Sequence, residues 1–191
     1  MDLAKSNLSR NDGFSLLEVM VATAILATSL VSLAQLFALS TRSNLGSRNM
    51  TFAAVLAQQK LEELRSLAWG FDQIGLPMSD ISTDTTVTPE QPNGGTGLSP
   101  SPDSALQGNT VGYVDYIDAW GNKLGGGQVP PQNAIYTRRW SISPLPINPN
   151  NTLIIQVLVT RLQDRGAADQ GAVKRLPEEA RMVTVKTRKA H

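Results

Sequence analysis

The chain has 191 residues, 41 % of them hydrophobic, no cysteine, and a formal net charge of +1. That length allows one compact domain plus an extra segment, and the near-neutral balance gives no electrostatic case for nucleic acid, because phosphate binding needs a clear excess of Lys and Arg. The lack of cysteine excludes disulfides, cysteine nucleophiles and thiolate metal sites, but not an oxidising compartment, since a domain of this size can be held by its core alone.

Residues 1–13 are polar and set Lys5 and Arg10 against Asp2 and Asp12. Gly13-Phe14-Ser15-Leu16-Leu17-Glu18-Val19-Met20-Val21-Ala22 follows, and no charged residue occurs from Val19 through Thr41. The segment from about 17 to 40 is long enough to cross a bilayer as a helix, which takes roughly 20 apolar residues. No small-residue cleavage site follows it, so it does not read as an ordinary removable signal peptide. Glu18 sits near one end of this segment. Taken alone, it reads as an acid at the membrane edge or one favoured by a helix N-terminus.

The string GFSLLEVMVA resembles the cleavage and assembly motif of type IV pilins and type II secretion pseudopilins. The resemblance runs from Gly13 to about Arg65. The later run Leu56-Ala57-Gln58-Gln59-Lys60-Leu61-Glu62-Glu63-Leu64-Arg65 is similar to PilV-type minor pilins. It implies a leader of residues 1–13 removed by prepilin peptidase, an aspartyl enzyme that cuts between Gly13 and Phe14 on the cytoplasmic side. The new N-terminal Phe14 would be N-methylated, and Glu18 would serve assembly as the fifth residue of the mature chain. The implied protein is a subunit and not an enzyme. It starts as a single-pass protein of the bacterial inner membrane with its C-terminal domain in the periplasm, then joins a filament. The implied partners are the peptidase, other major and minor pilins or pseudopilins, and the inner-membrane assembly platform. Asp12 departs from the family pattern, whose leader is more basic before the Gly.

The long helix is expected over 14–69. Ala53, Leu56, Ala57, Leu61, Leu64, Leu67 and Ala68 recur at three- and four-residue intervals and form one apolar stripe. Gln58, Glu62 and Arg65 lie off it, with Glu62 and Arg65 spaced to pair. The stripe fits packing on a sheet; a coiled-coil seam is the alternative. The polar patch 41–49 with Gly46 marks a softer stretch, and Gly70 is a natural stop. Residues 70–110 are rich in Pro, Gly, Ser, Thr and Asp and read as loop or partly disordered sequence.

The remainder, 111–191, is expected to form a small antiparallel sheet, giving an α+β, pilin-like fold. Strand candidates run over 134–143, 153–162 and 181–188, with a fourth over 111–118. The first puts Tyr136, Arg138, Trp140 and Ile142 on one face. The second alternates Leu153, Ile155, Val157 and Val159 against Gln156 and Thr160. The third alternates Val183 and Val185 against Thr184 and Lys186. Gly166 to Gly171 reads as a polar loop, and Lys186, Arg188 and Lys189 as a solvated tail.

Few residues offer chemistry. Asp115, Asp118 and Asn122 lie close in sequence, and Asp118-Ala119-Trp120-Gly121-Asn122 resembles a segment of major pseudopilins near their calcium loop. Oxygen ligands of this kind can hold calcium; the competing reading is a turn whose Trp120 anchors it to the core. No other cofactor is expected. The only histidine is His191, the last residue, where nothing would orient it for catalysis. The 125–127 glycines lack the Lys-Ser/Thr of a phosphate loop and read as a turn. Of Arg138 and Arg139, one is expected to be exposed and the other to lie over the sheet edge. A plain membrane-anchored module binding calcium or DNA is the alternative of another class.

Overall fold

The computed structural model describes residues 13–162 and 179–188. Helix α1 spans Leu16–Ser66, and six strands follow: β1 (Trp69–Phe71), β2 (Pro77–Ser79), β3 (Val114–Ile117), β4 (Tyr136–Pro144), β5 (Thr152–Arg161) and β6 (Ala180–Thr187). β1 and β2 form a two-stranded antiparallel ribbon. The other four strands form an antiparallel sheet in the order β3-β4-β5-β6. The chain divides into two compact units, Met1–Leu45 and Gly46–His191.

In the first unit, the described part of the chain is one apolar helix with no buried residue in its most apolar stretch. It is long and apolar enough to cross a membrane. Four of its hydroxyls are satisfied locally. The hydroxyls of Thr23, Thr28, Ser29 and Ser32 donate to carbonyls three or four residues back. Such back-bonding lets a helix carry Ser and Thr where no water can serve them.

In the second unit, the helical stripe meets the sheet. Ala53, Leu56, Ala57, Leu61 and Leu64 are buried in one cluster with Trp140, Ile142, Leu153, Ile155, Val157 and Val159. Alanines at 53 and 57 leave no exposed atom and let the backbone approach closely. The expected pairing of Arg65 with Glu62 is present at 3.2 Å on the exposed side. Ala68, assigned to the stripe, is exposed, because the helix stops at Ser66 and the chain turns before it. Gly70 is therefore not the helix stop: it lies buried in β1.

The stop is made from the far end of the chain. The Lys186 ammonium donates to the carbonyls of Leu64, Arg65 and Leu67 at 3.1, 2.6 and 2.6 Å. These are among the carbonyls that a helix end leaves without partners, at the negative end of its dipole. Arg188 stacks 3.7 Å from the Trp69 ring and donates to the carbonyls of Asn150, Gly70 and Met78. Lys186 and Arg188 are thus not a solvated tail; Lys189 and His191 lie outside the described residues. Lys186 also decides the phase of β6. The register places Val157 opposite Met182, Ile155 opposite Thr184 and Leu153 opposite Lys186. Val183 and Val185 consequently face out, 58 % and 54 % exposed, reversing the expected alternation. A single step of phase moves every side chain of a strand to the other face.

The 70–110 segment is held by its own short side chains. The Asp80 carboxylate accepts from the backbone of Ser82 and Thr83 and from the Thr83 hydroxyl, and Asp84 accepts from the backbone and hydroxyl of Thr86. Leu98 and Ala105 reach the main core. Apart from β1 and β2 the segment is loop, as expected, and Asx turns hold such a loop without apolar content. The expected loop at 166–171 lies outside the described residues.

Candidate functional site

The N-terminal site is built by one helix start. Residues 13–15 are non-helical, and Ser15 is the cap: its hydroxyl and carbonyl oxygens accept from the Glu18 amide at 3.2 and 3.1 Å. Ser15-Leu16-Leu17-Glu18 has the capping-box spacing, with an acid in the first turn where the dipole favours it. The local chemistry of Glu18 is therefore that of a carboxylate at a positive helix end. Phe14 is 83 % exposed, and a side chain built on Gly13 would meet nothing. Among the described residues, nothing packs against Gly13. A groove of about 410 Å³ runs along this start, lined by Phe14, Glu18, Val19, Ala22, Thr23 and Leu26.

The three residues considered for calcium are divided by the fold. Asp115 is wholly buried on β3, directly opposite Arg138 on β4. Arg138 Nε and Nη2 donate to its two carboxylate oxygens at 2.8 and 2.7 Å. Lys60 Nζ stands 3.2 Å from Asp115 Oδ2. Asp118 and Asn122 form a surface turn instead. The Asp118 carboxylate accepts from the amides of Trp120 and Asn122 and from the Asn122 side chain, at 2.8, 2.8 and 2.9 Å. Those hydrogen bonds hold the Asp118 carboxyl below its ordinary value. Gly121 completes the turn with a φ of 90°, which favours glycine. Trp120 does not anchor this turn to the core: it is 87 % exposed, because Asp118 and not the indole holds the loop. Among the described residues, no three His, Cys, Asp or Glu side chains are grouped to hold a metal ion.

Residues 8–34 match the family model of the prokaryotic N-terminal methylation motif. The chain carries that motif. With a long apolar helix behind it and an amphipathic stretch packed on an antiparallel sheet, its architecture is pilin-like and fits the pilin and pseudopilin superfamily. The methylation motif takes in Gly13, Phe14 and Glu18 and ends inside the apolar part of α1. No curated protein and no solved structure matches the chain.

Beyond the methylation motif, the structure shows a buried ion cluster that the sequence reading missed. Lys60 is on the helix stripe, fully buried, with its ammonium 3.1 Å from Glu63 and donating to Thr85 O and Oγ1 at 2.6 and 2.8 Å. It also lies 3.9 Å from the centre of the Trp140 ring. Lys123 pairs with Glu63 and donates to the Thr85 carbonyl at 3.0 Å. Arg138 spends its remaining nitrogen on the Leu56 carbonyl at 3.1 Å. Burial lowers the Lys60 pKa to about 8, against the opposing pull of Asp115. Burial pushes Asp115 up, but Lys60 and Arg138 outweigh it and the carboxyl stays below its ordinary value. Neither arginine of the Arg138-Arg139 pair is exposed. Arg139 turns to the opposite face, donating to Asn109 Oδ1 at 3.1 and 2.6 Å. The signal for this cluster was phase: Arg138 shares the inward face with Tyr136 and Trp140, as the alternation implied, and Lys60 occupies a core position of the helix stripe that the sequence analysis left out.

Proposed function

We propose that the chain is a minor type IV pilin-like subunit, made as a prepilin and not as an enzyme. Prepilin peptidase hydrolyses the Gly13–Phe14 bond, releasing residues 1–13, and Phe14 is then N-methylated. The subunit waits in the bacterial inner membrane with its C-terminal domain in the periplasm. From there it enters or primes a filament with other pilins, through the assembly platform. The observation that carries this reading is the methylation motif at 8–34, set on an exposed Gly-Phe junction ahead of a wholly unburied apolar helix.

The chemistry is electrostatic. Hydrolysis frees an α-amine with a reference pKa of about 7.7–8.0. It arises at a helix N-terminus, where a cation is disfavoured by the dipole and a carboxylate is favoured. Glu18 of one subunit and the Phe14 amine of its neighbour would each relieve the other in a low-dielectric bundle, where an unpaired charge is costly. Cleavage thus turns a membrane helix into an assembling one. A second reading, a type II secretion minor pseudopilin, is favoured by the ordered 118–122 turn, whose sequence resembles that of pseudopilins.

The test is intact mass and N-terminal sequencing of the chain made with and without the peptidase. Loss of residues 1–13 and a methylated Phe14, only with the peptidase present, is the expected outcome. An uncut chain beside an active peptidase would overturn the reading.

A further inference from the structure

We propose that the turn at 118–122 and the groove beside it form a self-association surface, in which Trp120 of one copy enters the groove of a second copy. The proposal concerns the second unit alone and does not rest on the methylation motif.

Three observations carry it. The first is the turn. Three hydrogen bonds to one carboxylate and a glycine at φ 90° fix it, and its large side chain is an indole left 87 % exposed. A fixed backbone displaying an aromatic side chain binds with little backbone ordering cost, and Trp is enriched among residues that dominate interfaces. The second is the adjoining groove, about 640 Å³, lined by Arg48, Phe52, Val55, Ala119, Ile135 and Arg161. Ala119 belongs to the turn itself, and a Cβ on Gly121 would stand 3.8 Å from Phe52. Phe52 and Tyr136 pack ring to ring at 5.3 Å in its wall, and Val55 is 57 % exposed. The volume is that of a small-ligand pocket and accepts one indole.

The third is charge. The groove is lined by the exposed, cationic Arg48, whereas the projecting indole is preceded by the acidic Asp118. An aromatic-and-anionic projection thus lies beside an aromatic-and-cationic hollow on one face. Arginine also favours the face of an indole. A projection and a hollow on one patch can pair isologously, each copy giving one and receiving one.

The chain has no cysteine, so introduced thiols report without background. Full-length Ala119→Cys and Thr51→Cys chains, one of them tagged, would be mixed in detergent micelles and mildly oxidised. The expected result is a disulfide-linked mixed dimer, falling tenfold or more when Trp120→Ser or Arg48→Glu is added. Both added changes are at exposed side chains, and an unchanged circular dichroism spectrum and melting curve would verify the fold. No mixed dimer, or one indifferent to Trp120 and Arg48 as pairing through the apolar helices would be, overturns the proposal. So does a Trp120-dependent link formed only to a different protein.

Discussion

At the scale of single residues, Asp115 balances the buried charge of the second unit. It neutralises two cations that are themselves without solvent, Lys60 and Arg138. Removing one partner of a buried pair leaves the other charge stranded, at a cost of about 3–5 kcal/mol. Asp115→Ala is therefore expected to lose stability on that scale, read by urea unfolding of the full chain in detergent. Lys60 gives a pH signature. Its proton is held with a pKa of about 8 in the folded chain against 10.5 ordinarily. The unfolded chain binds more protons between those values, so stability must rise with pH across that window. Against a Lys60→Met chain, the parent should gain on the order of 3 kcal/mol from pH 8 to pH 10.5. A parallel pair of stability curves would refute this. Asp115 works at the other end: its contribution is present above the ordinary carboxylate range and is lost as acid titrates it below that range.

At the scale of elements, the main lesson is where one strand ends another's helix. Lys186→Met removes an ammonium from three helix-end carbonyls and should cost about 1–2 kcal/mol. Faster hydrogen exchange at the last turn of α1, with the sheet amides unchanged, is the expected readout. The same element shows what was legible beforehand. The apolar helix, its stripe and the alternations of β4 and β5 announce themselves, because one face of each is apolar and the period is clean. Gly13, Phe14 and Glu18 lie within the stretch that matches the methylation motif. β6 was misread in phase because its two valines look like core residues, while a lysine in fact takes the inner face to reach the helix end. The ion cluster stayed hidden for a related reason. Each charge is expensive to bury alone, and only the long-range pairing of β3, β4 and α1 makes the set tolerable. The 70–110 segment was legible as loop, but its hydrogen-bonded turns leave no hydrophobic period to detect.

At the scale of the whole molecule, the two units divide the work. The first carries the methylation motif and an apolar helix in which Thr23, Thr28, Ser29 and Ser32 satisfy their own hydroxyls, as a helix in lipid or in the interior of a bundle requires. If Glu18 acts in assembly, Glu18→Ala should still be cut after Gly13 yet fail to enter filaments, scored by shearing and immunoblotting; normal incorporation would remove Glu18 from that role. The second unit has a further property that follows from Lys186. Its ammonium lies 122 positions along the chain from the Leu64 carbonyl it contacts. Synthesis must therefore run on through residue 186 before the helix acquires its finished end. Products of interrupted translation would lack that closing contact, leaving the last turn frayed and open to proteases. A chain that stops short of β6 is therefore expected to be degraded faster than one that includes it, which a pulse-chase comparison of the two would show.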